Sequence, residues 1–329
     1  MVEVVFDFCC NFALEMIEII KYEPSLQREW DELVRRSRNG TFLHERAYMD
    51  YHSDRFTDCS LMAYDGSHLM AVMPANREES TLCSHRGLTY GGWLMPAKRC
   101  DAASIDLLIA STVQWLKGNG FKELVYKPVP HIYHRYPAEE DIYALWHHGA
   151  QLTECSISTT IDLLEPLPMD RGNKSGLNMA QRAGLTVTDS GDWATYWRIL
   201  TQVLADRHAA VPVHTVEEMT LLHRRFPTNI QLYTVTDTGG NVLAGVVMYY
   251  THTVAHSQYI ASTAQGREQH ALTLLFAHLY DEAKRRGCRY FDFGISTEDH
   301  GRVLNSGLVQ QKSRLGGRGT ITQVFTLPI

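Results

Sequence analysis

The chain has 329 residues, of which 44% are hydrophobic and 21% charged. At about 150 residues per domain, this length predicts about two domains with sizeable cores, and the composition excludes disordered and fibrous classes. Lys and Arg number 31 against 37 Asp and Glu, so the formal net charge is −6. The chain therefore lacks the basic excess that indiscriminate binding to a phosphate backbone requires, and we expect no DNA partner.

The cysteines and the amino terminus bear on the cellular compartment. Seven cysteines are an odd number and form no C-x-x-C pair, which favours reduced thiols in a cytosolic protein. Residues 1–15 are apolar but carry no Lys or Arg ahead of the apolar run, so we expect no secretory signal and a cytoplasmic location. We interpret residues 1–15 as a non-native or unstructured start, because a first strand begins more clearly near Met16.

One uncharged stretch is long enough to cross a bilayer on charge alone. Residues 238–266 contain no Asp, Glu, Lys or Arg. Their Val, Tyr and Thr content predicts two buried strands instead. We therefore expect no membrane span.

The first half predicts strands and helices in alternation. Ser25 is expected to cap a helix that ends at 39–40, and Asp65-Gly66 joins two strands of a hairpin. An apolar stripe predicts a helix over 101–117, which glycines end, and a later helix has Pro137 at its first position. The predicted strands are one near Met16 and those at 61–64, 69–75, 87–90 and 121–126.

The second half repeats this order at an offset of about 167 to 173 residues, which is too long for a solenoid repeat. Asp192 and a capping box at Thr215 start two further helices between the copies. We predict two similar domains, 16–168 and 169–329, joined where Pro, Gly and charge interrupt the pattern. The predicted elements of the second copy are strands at 230–235, 242–250 and 254–262, a break at 265–266, a helix over 272–283, and strands at 288–293 and 321–327.

A carboxyl-terminal passage and the order of elements together carry a family resemblance. The passage consists of Phe291-Asp-Phe-Gly-Ile-Ser296, Gly301, Gly307-Leu308, Lys312 and Leu315-Gly316-Gly317. With the order strand, helix, meander, helix, strand, it resembles the GNAT acyltransferase fold, and two such units in tandem look like the FemAB group and proteins with a BioF2-type acetyltransferase domain. The resemblance implies an α/β (α+β) fold of two tandem GNAT-like domains, each a mixed, mostly antiparallel sheet flanked by helices.

This resemblance implies an N-acyltransferase. The donor would be an acyl-CoA or an aminoacyl-tRNA, and the acceptor an amino group of a cell-envelope or polysaccharide precursor. Partners would then be an amine-bearing small molecule or precursor and a charged tRNA, with acyl-CoA as a co-substrate and no tightly bound cofactor. The alternative is a catalytically silent binding module, because the loops expected to bind the donor match the family pattern only in part.

Candidate catalytic and donor-binding residues lie in the second half. GNAT enzymes bind the donor diphosphate at a loop before a helix, which places Gln265, Gly266 and Arg267 as cofactor-binding candidates, with an ordinary turn as the alternative. Asp292 ends a strand and is a candidate to hold the amine or accept its proton, or it caps the loop backbone. Two cations, Lys312 and Arg314, are assigned to a Gly-rich loop. They are expected to bind a phosphate or carboxylate, with Lys312 as a catalytic residue. The alternative is a solvated loop.

A second group of candidates follows the strand at 121–126. One interpretation is that this segment presents cations and phenols to an extended substrate, through Lys127, His131, Tyr133 and Arg135. The alternative is a rigid loop that prolines define. We expect no metal, since no carboxylate or cysteine spacing completes a site with His131, His134, His147 and His148.

Overall fold

A computed structural model of the protein describes residues 17–208 and 210–329, so the expectation for residues 1–15 lies outside the described residues. In the first half, the described helices are α1 (Gln27–Arg36), α2 (Arg46–Met49), α3 (Ala102–Gly118) and α4 (Glu140–His147). The strands of this half are β1 (Glu18–Lys21), β2 (Leu61–Asp65), β3 (His68–Met73), β4 (Asn76–Glu78), β5 (Thr81–Cys83), β6 (Glu123–Tyr126) and β7 (Gln151–Asp162).

The second half follows the same order. Its described helices are α5 (Arg171–Arg182), α6 (Trp193–His208), α7 (Val216–Arg225), α8 (Ala264–Glu268), α9 (Ala271–Arg285) and α10 (Ser306–Arg314). Its strands are β8 (Thr186–Asp189), β9 (Ile230–Thr236), β10 (Val242–Tyr250), β11 (Val254–Ser262), β12 (Tyr290–Ile295), β13 (Thr297–Glu298), β14 (Val303–Leu304) and β15 (Arg318–Pro328).

A ten-stranded mixed sheet runs through both halves in the order β4-β5-β6-β15-β7-β12-β11-β10-β9-β8. The last strand of each half is exchanged: β15 pairs antiparallel with β6 of the first half, and β7 pairs antiparallel with β12 of the second. These two exchanged strands also pair with each other at the centre of the sheet. The proposed boundary near residue 168 falls between β7 and α5, and the exchange joins the two halves on both sides of it.

Local sequence signals account for the start of three helices. The Asp101 side chain accepts a hydrogen bond from Ser104 N at the start of α3, and Asp192 does the same for Thr195 N at the start of α6. Thr215 and Glu218 form the predicted reciprocal capping box of α7. The caps of α6 and α7 were predicted, whereas α3 was predicted from its apolar stripe and not from its Asp101 cap.

Three predictions about the first half were wrong. Residues 87–90 form no strand, because His85 adopts a positive φ of 60° and Leu88 N bonds back to His85 O in a turn. Ser25 does not cap α1 but lies in a 3-10 turn. Pro137 is not the first residue of a helix, because α4 begins only at Glu140 and Glu139 is its N-cap. Strand β7 was not predicted at all.

The two halves pack through an aromatic cluster. Phe42 of the first half lies 5.4 Å from Phe226 and 5.6 Å from Tyr249 of the second, measured between ring centroids. Tyr48 joins the same contact, and these side chains are buried. Aromatic packing of this kind contributes both apolar burial and edge-to-face attraction, so it holds the loops of the first half against the sheet of the second. No helix in the described part of the chain is both long enough and apolar enough to span a bilayer.

Candidate active site

The candidate site lies where two parallel strands of the second half separate. β11 and β12 pair in parallel over three positions, ending with His256 opposite Asp292. Beyond that pair Gly294 adopts a φ of +76°, and the pairing of β12 with β7 shifts register. A non-glycine residue would be strained at this φ, so the glycine permits the strand to turn away. A cavity of about 310 Å³ opens at this point.

Asp292 is the polar centre of the cavity and is only 4% exposed. Ser158 Oγ and Thr160 Oγ1 of β7 both donate to its Oδ1, and His256 Nδ1 lies 2.7 Å from its Oδ2. Burial acts to raise the pKa of Asp292, but the hydrogen bond and charge of His256, with the Ser158 bond, hold that pKa below its ordinary value. Asp292 is therefore a buried carboxylate, not a neutral acid.

His256 completes a carboxylate–imidazole pair. Since an ionised carboxylate only accepts hydrogen bonds, the proton of a neutral His256 resides on Nδ1, which leaves Nε2 with a free lone pair. The side chain is 16% exposed and lines the cavity, so a ligand there can reach Nε2. Such a nitrogen can accept a proton while the carboxylate stabilises the resulting imidazolium. Sequence reasoning did not select His256, because only the strand register places it beside Asp292.

The first half supplies one wall of the cavity. Tyr133 OH donates to Asp292 Oδ2 over 3.4 Å, and the Tyr133 and Tyr90 rings stack at an angle with centroids 4.5 Å apart. Both tyrosines are buried and line the cavity, and burial raises the pKa of each phenol, so both stay neutral. Of the candidates between Lys127 and Arg135, the structure brings Tyr133 to Asp292.

Lys312 lies behind the cavity wall and belongs to helix α10 instead of the predicted Gly-rich loop. The Asn305 side chain accepts from Leu308 N and caps this helix. Lys312 Nζ donates to Gly294 O at 2.8 Å, Ile295 O at 2.9 Å and Ser296 Oγ at 2.9 Å. Burial lowers the pKa of this ammonium to about 8, against the opposing charge of Asp292. Its three bonds fix the turn that opens the cavity.

The other predicted substrate-binding residues lie away from the cavity. Lys127 Nζ donates to Leu88 O, and burial lowers the pKa of this lysine. Arg135 contacts His252, and Arg314 forms an exposed ion pair with Asp170 at 3.8 Å. His131 borders a separate depression of about 220 Å³. Arg314, like Lys312, was assigned to a loop, and it is the last residue of α10.

The segment predicted to bind a donor diphosphate is a tightly packed turn. Thr263 accepts at its side chain from Gly266 N and at its carbonyl from Arg267 N. A Cβ at Gly266 would lie 2.3 Å from Leu243 O, so glycine is required there for packing. Because both amides are already bonded, these residues do not fit a main-chain cradle for the diphosphate of coenzyme A. The Arg267 and Gln265 side chains remain as candidate contacts.

Comparisons with known proteins agree with this architecture. Residues 171–302 match the model of the "Acetyltransferase (GNAT) domain". The solved structure of FemX is 12% identical, with a TM-score of 0.68, over 95% of this chain and 97% of that one. The L-PGS structure from Bacillus licheniformis is 11% identical, with a TM-score of 0.60, over 92% and 91%. A protein of unknown function from Bacteroides thetaiotaomicron is 10% identical, with a TM-score of 0.62, over 95% and 100%. Curated proteins give no significant match in sequence.

These findings define the class of the protein. The match to the family model covers most of the second half, and the fold of FemX extends over nearly the whole chain. Residues 171–302 therefore form a GNAT acyltransferase domain, within a chain whose fold is similar to that of FemX over nearly its whole length. The predicted fold class, family resemblance and acyltransferase class are confirmed.

Proposed function

We propose that the protein transfers an acyl or aminoacyl group to an amine in the cavity between β11 and β12. The observation that carries this proposal is the His256–Asp292 pair, which stands at the last paired position of the two strands. The site is partly enclosed, and its imidazole is oriented by a buried carboxylate. An enclosed base of this kind suits removal of a proton from an amine nucleophile.

The reaction at this site has a simple proton balance. The amine nitrogen of the acceptor attacks the carbonyl carbon of an ester or thioester, so a C–N bond forms and a C–O or C–S bond breaks. His256 Nε2 accepts the proton that the amine loses, and the imidazolium returns it to the alcohol or thiol that departs. Asp292 holds the imidazole ring and stabilises its charge during the step.

Lys312 acts in this scheme as a positioning residue. Its ammonium bonds to the carbonyls of Gly294 and Ile295, and these residues line the cavity while Lys312 lies behind them. Ser296, whose Oγ is the third acceptor, is 1% exposed and Lys312 is 6% exposed, so this part of the anchor is shielded from water. The cation therefore supports the opened strand end and the placement of Asp292, which precedes Gly294 in the same strand.

The donor is proposed as either an acyl-CoA or an aminoacyl-tRNA. The turn at Gly266 offers no main-chain cradle for a diphosphate, which favours a donor bound by side chains. One solved structure of related fold, a domain of a putative lysylphosphatidylglycerol synthetase from Agrobacterium fabrum, is 12% identical with a TM-score of 0.53. The proposed acceptor is an amine of a cell-envelope or polysaccharide precursor in the cytoplasm.

The proposal is tested in two stages with the full chain. Acetyl-CoA, longer acyl-CoA species, aminoacyl-tRNAs and nucleotide-activated amino sugars are first screened for a rise in melting temperature. Pairs that bind are then assayed for transfer by mass spectrometry, with wild type, His256→Ala and a matched control, His252→Ala. His252 lies outside the cavity and contacts Arg135.

The expected result is transfer by wild type and the control, and a loss of about 10²-fold or more in His256→Ala. Equal rates for His256→Ala and wild type would overturn the role of His256. Binding without any transfer across the donor panel would instead support the silent binding module.

A further inference from the structure

Two histidines at the end of α4 and a carboxylate on α3 form a cluster outside the candidate active site. His147 is the last residue of α4 and His148 caps it, while Asp106 lies in the second turn of α3. The ligand atoms of the three side chains all lie within 4.8 Å of one another. The two helices pack side by side, so the cluster stands on rigid elements.

The nitrogen atoms face one carboxylate oxygen. Asp106 Oδ1 lies 2.7 Å from His147 Nδ1 and 3.2 Å from His148 Nε2. His148 Nε2 is buried and, although Asp106 Oδ1 is 3.2 Å away, it makes no hydrogen bond of regular geometry within the described part of the chain. A buried nitrogen that makes no hydrogen bond costs free energy. A ligand bound at the centre of the cluster would remove that cost.

The donor set has the chemistry of a zinc site. Two imidazole nitrogens and one carboxylate oxygen are ligands that Zn²⁺ prefers, at bond lengths of about 2.0–2.2 Å. Tetrahedral bonds of that length separate ligand atoms by about 3.3 Å. The distances of 2.7 and 3.2 Å from Asp106 Oδ1 need to widen only slightly to reach this value, and the two nitrogens lie within 4.8 Å of each other. His147 is 53% exposed at its side chain, so the ion has an entry path and a water can complete its coordination.

We propose that Asp106, His147 and His148 bind one Zn²⁺ ion, which links the end of α4 to α3. Sequence reasoning expected no metal because no carboxylate stands at ligand spacing from the two histidines; the fold supplies one from 41 residues earlier in the chain. The site lies in the first half, outside the candidate active site. Bound Zn²⁺ would hold the end of α4 in place just before β7, the strand whose Ser158 and Thr160 bond to Asp292.

The test measures metal binding to the full chain after removal of bound metal by a chelator. Zn²⁺ is titrated calorimetrically, and Co²⁺ is added as a spectroscopic probe, because its visible absorption reports the number and type of ligands. Asp106→Asn and His148→Gln remove one ligand each. The matched control is His300→Gln, since His300 forms a comparable pair with Glu154 at 2.9 Å but is not part of a three-ligand cluster.

The expected result is one Zn²⁺ per chain with micromolar or tighter affinity, and a rise in melting temperature on binding. Each ligand variant should weaken binding at least tenfold and remove the tetrahedral Co²⁺ spectrum, whereas His300→Gln binds as wild type does. Millimolar affinity, or equal binding by Asp106→Asn and wild type, would overturn the site. Circular dichroism confirms that each variant is folded, so loss of binding is not mistaken for unfolding.

Discussion

The two halves place different chemistry at matching positions of one frame. In each half two parallel strands pair over three positions, β5 with β6 and β11 with β12. The third pair is Cys83 opposite Val125 in the first half and His256 opposite Asp292 in the second. Cys83 and Val125 are buried and pack with Val324 of the exchanged strand β15. Apolar side chains in the first half therefore occupy the position that corresponds to the candidate base of the second half.

The strands also behave differently beyond that third pair. In the first half, Ser84 N donates to Val125 O and Gly91 N donates to Lys127 O, so the pairing continues past the strand ends. In the second half the strands separate at Gly294, which occupies the place of Lys127. This contrast favours the second half as the location of a single working site, with the first half providing a wall and support.

The largest expected effect is on the dyad itself. Asp292→Asn should lower the transfer rate by about 10²-fold or more, because an amide cannot stabilise an imidazolium and can reverse the tautomer of His256. The measurement is kcat on the pair of substrates found by the binding screen, with circular dichroism to show that the variant is folded. Full activity in Asp292→Asn would break the proposed difference between the halves.

The next effect concerns the anchor of the opened strand and its dependence on pH. The folded-state pKa of Lys312 is about 8, below its ordinary value of 10.5, so the unfolded chain binds more protons between these two pH values. The contribution of Lys312 to stability is therefore least favourable below pH 8 and rises between pH 8 and about 10.5. We expect the free energy of unfolding of wild type, minus that of Lys312→Met, to increase over this interval in urea titrations. A constant difference would show that Lys312 does not titrate there.

A smaller effect is expected at the contact between the halves. Tyr133→Phe removes the phenol that donates to Asp292 over 3.4 Å, a long and therefore weak bond. Loss of a bond of about 0.5–1.5 kcal/mol predicts a decrease of about two- to tenfold in kcat/KM. Steady-state kinetics of Tyr133→Phe measure this, and a loss as large as that of Asp292→Asn would assign the first half a direct part in the chemistry.

The smallest effect on activity is expected in the first half. Cys83→Ser places a hydroxyl where the buried thiol packs, so the free energy of unfolding should fall by about 1–3 kcal/mol. Transfer activity should remain within about twofold of wild type, because Cys83 lies outside the cavity. Thermal melts and transfer assays on the same preparation check both numbers. A large loss of activity with intact folding would contradict the assignment of the site to the second half.

The elements with strong local signals could be predicted from the sequence. Caps at Asp192 and Thr215 are local hydrogen bonds, and the strands β9 to β11 contain no charged residues and lie between clear turns. Strand β7 escaped prediction because hydroxyl residues such as Ser158 and Thr160 occupy its buried positions. These polar side chains serve Asp292 instead of packing in an apolar core, so apolar periodicity does not reveal them.

The site could be predicted only at residues that end a strand within the resembling passage. Asp292 was selected as a polar group at a strand end, and the structure places it inside β12, which continues to Ile295. Its catalytic role stays a prediction. His256 required the register between β11 and β12, and Tyr133 required the packing of one half against the other. Lys127, Arg135 and Arg314 were chosen for their charge, but charge in a loop does not determine which surface a side chain faces.

The exchanged strand β15 has a consequence for how the protein is synthesised. β6 pairs on one side with β5 and on the other with β15, the last strand of the chain. Until residues 318–328 leave the ribosome, the first half carries an unpaired strand edge, which is a site of aggregation in incomplete chains. Folding of the amino-terminal half can therefore finish only after β15 has been synthesised, and a chain that lacks β15 loses part of both halves.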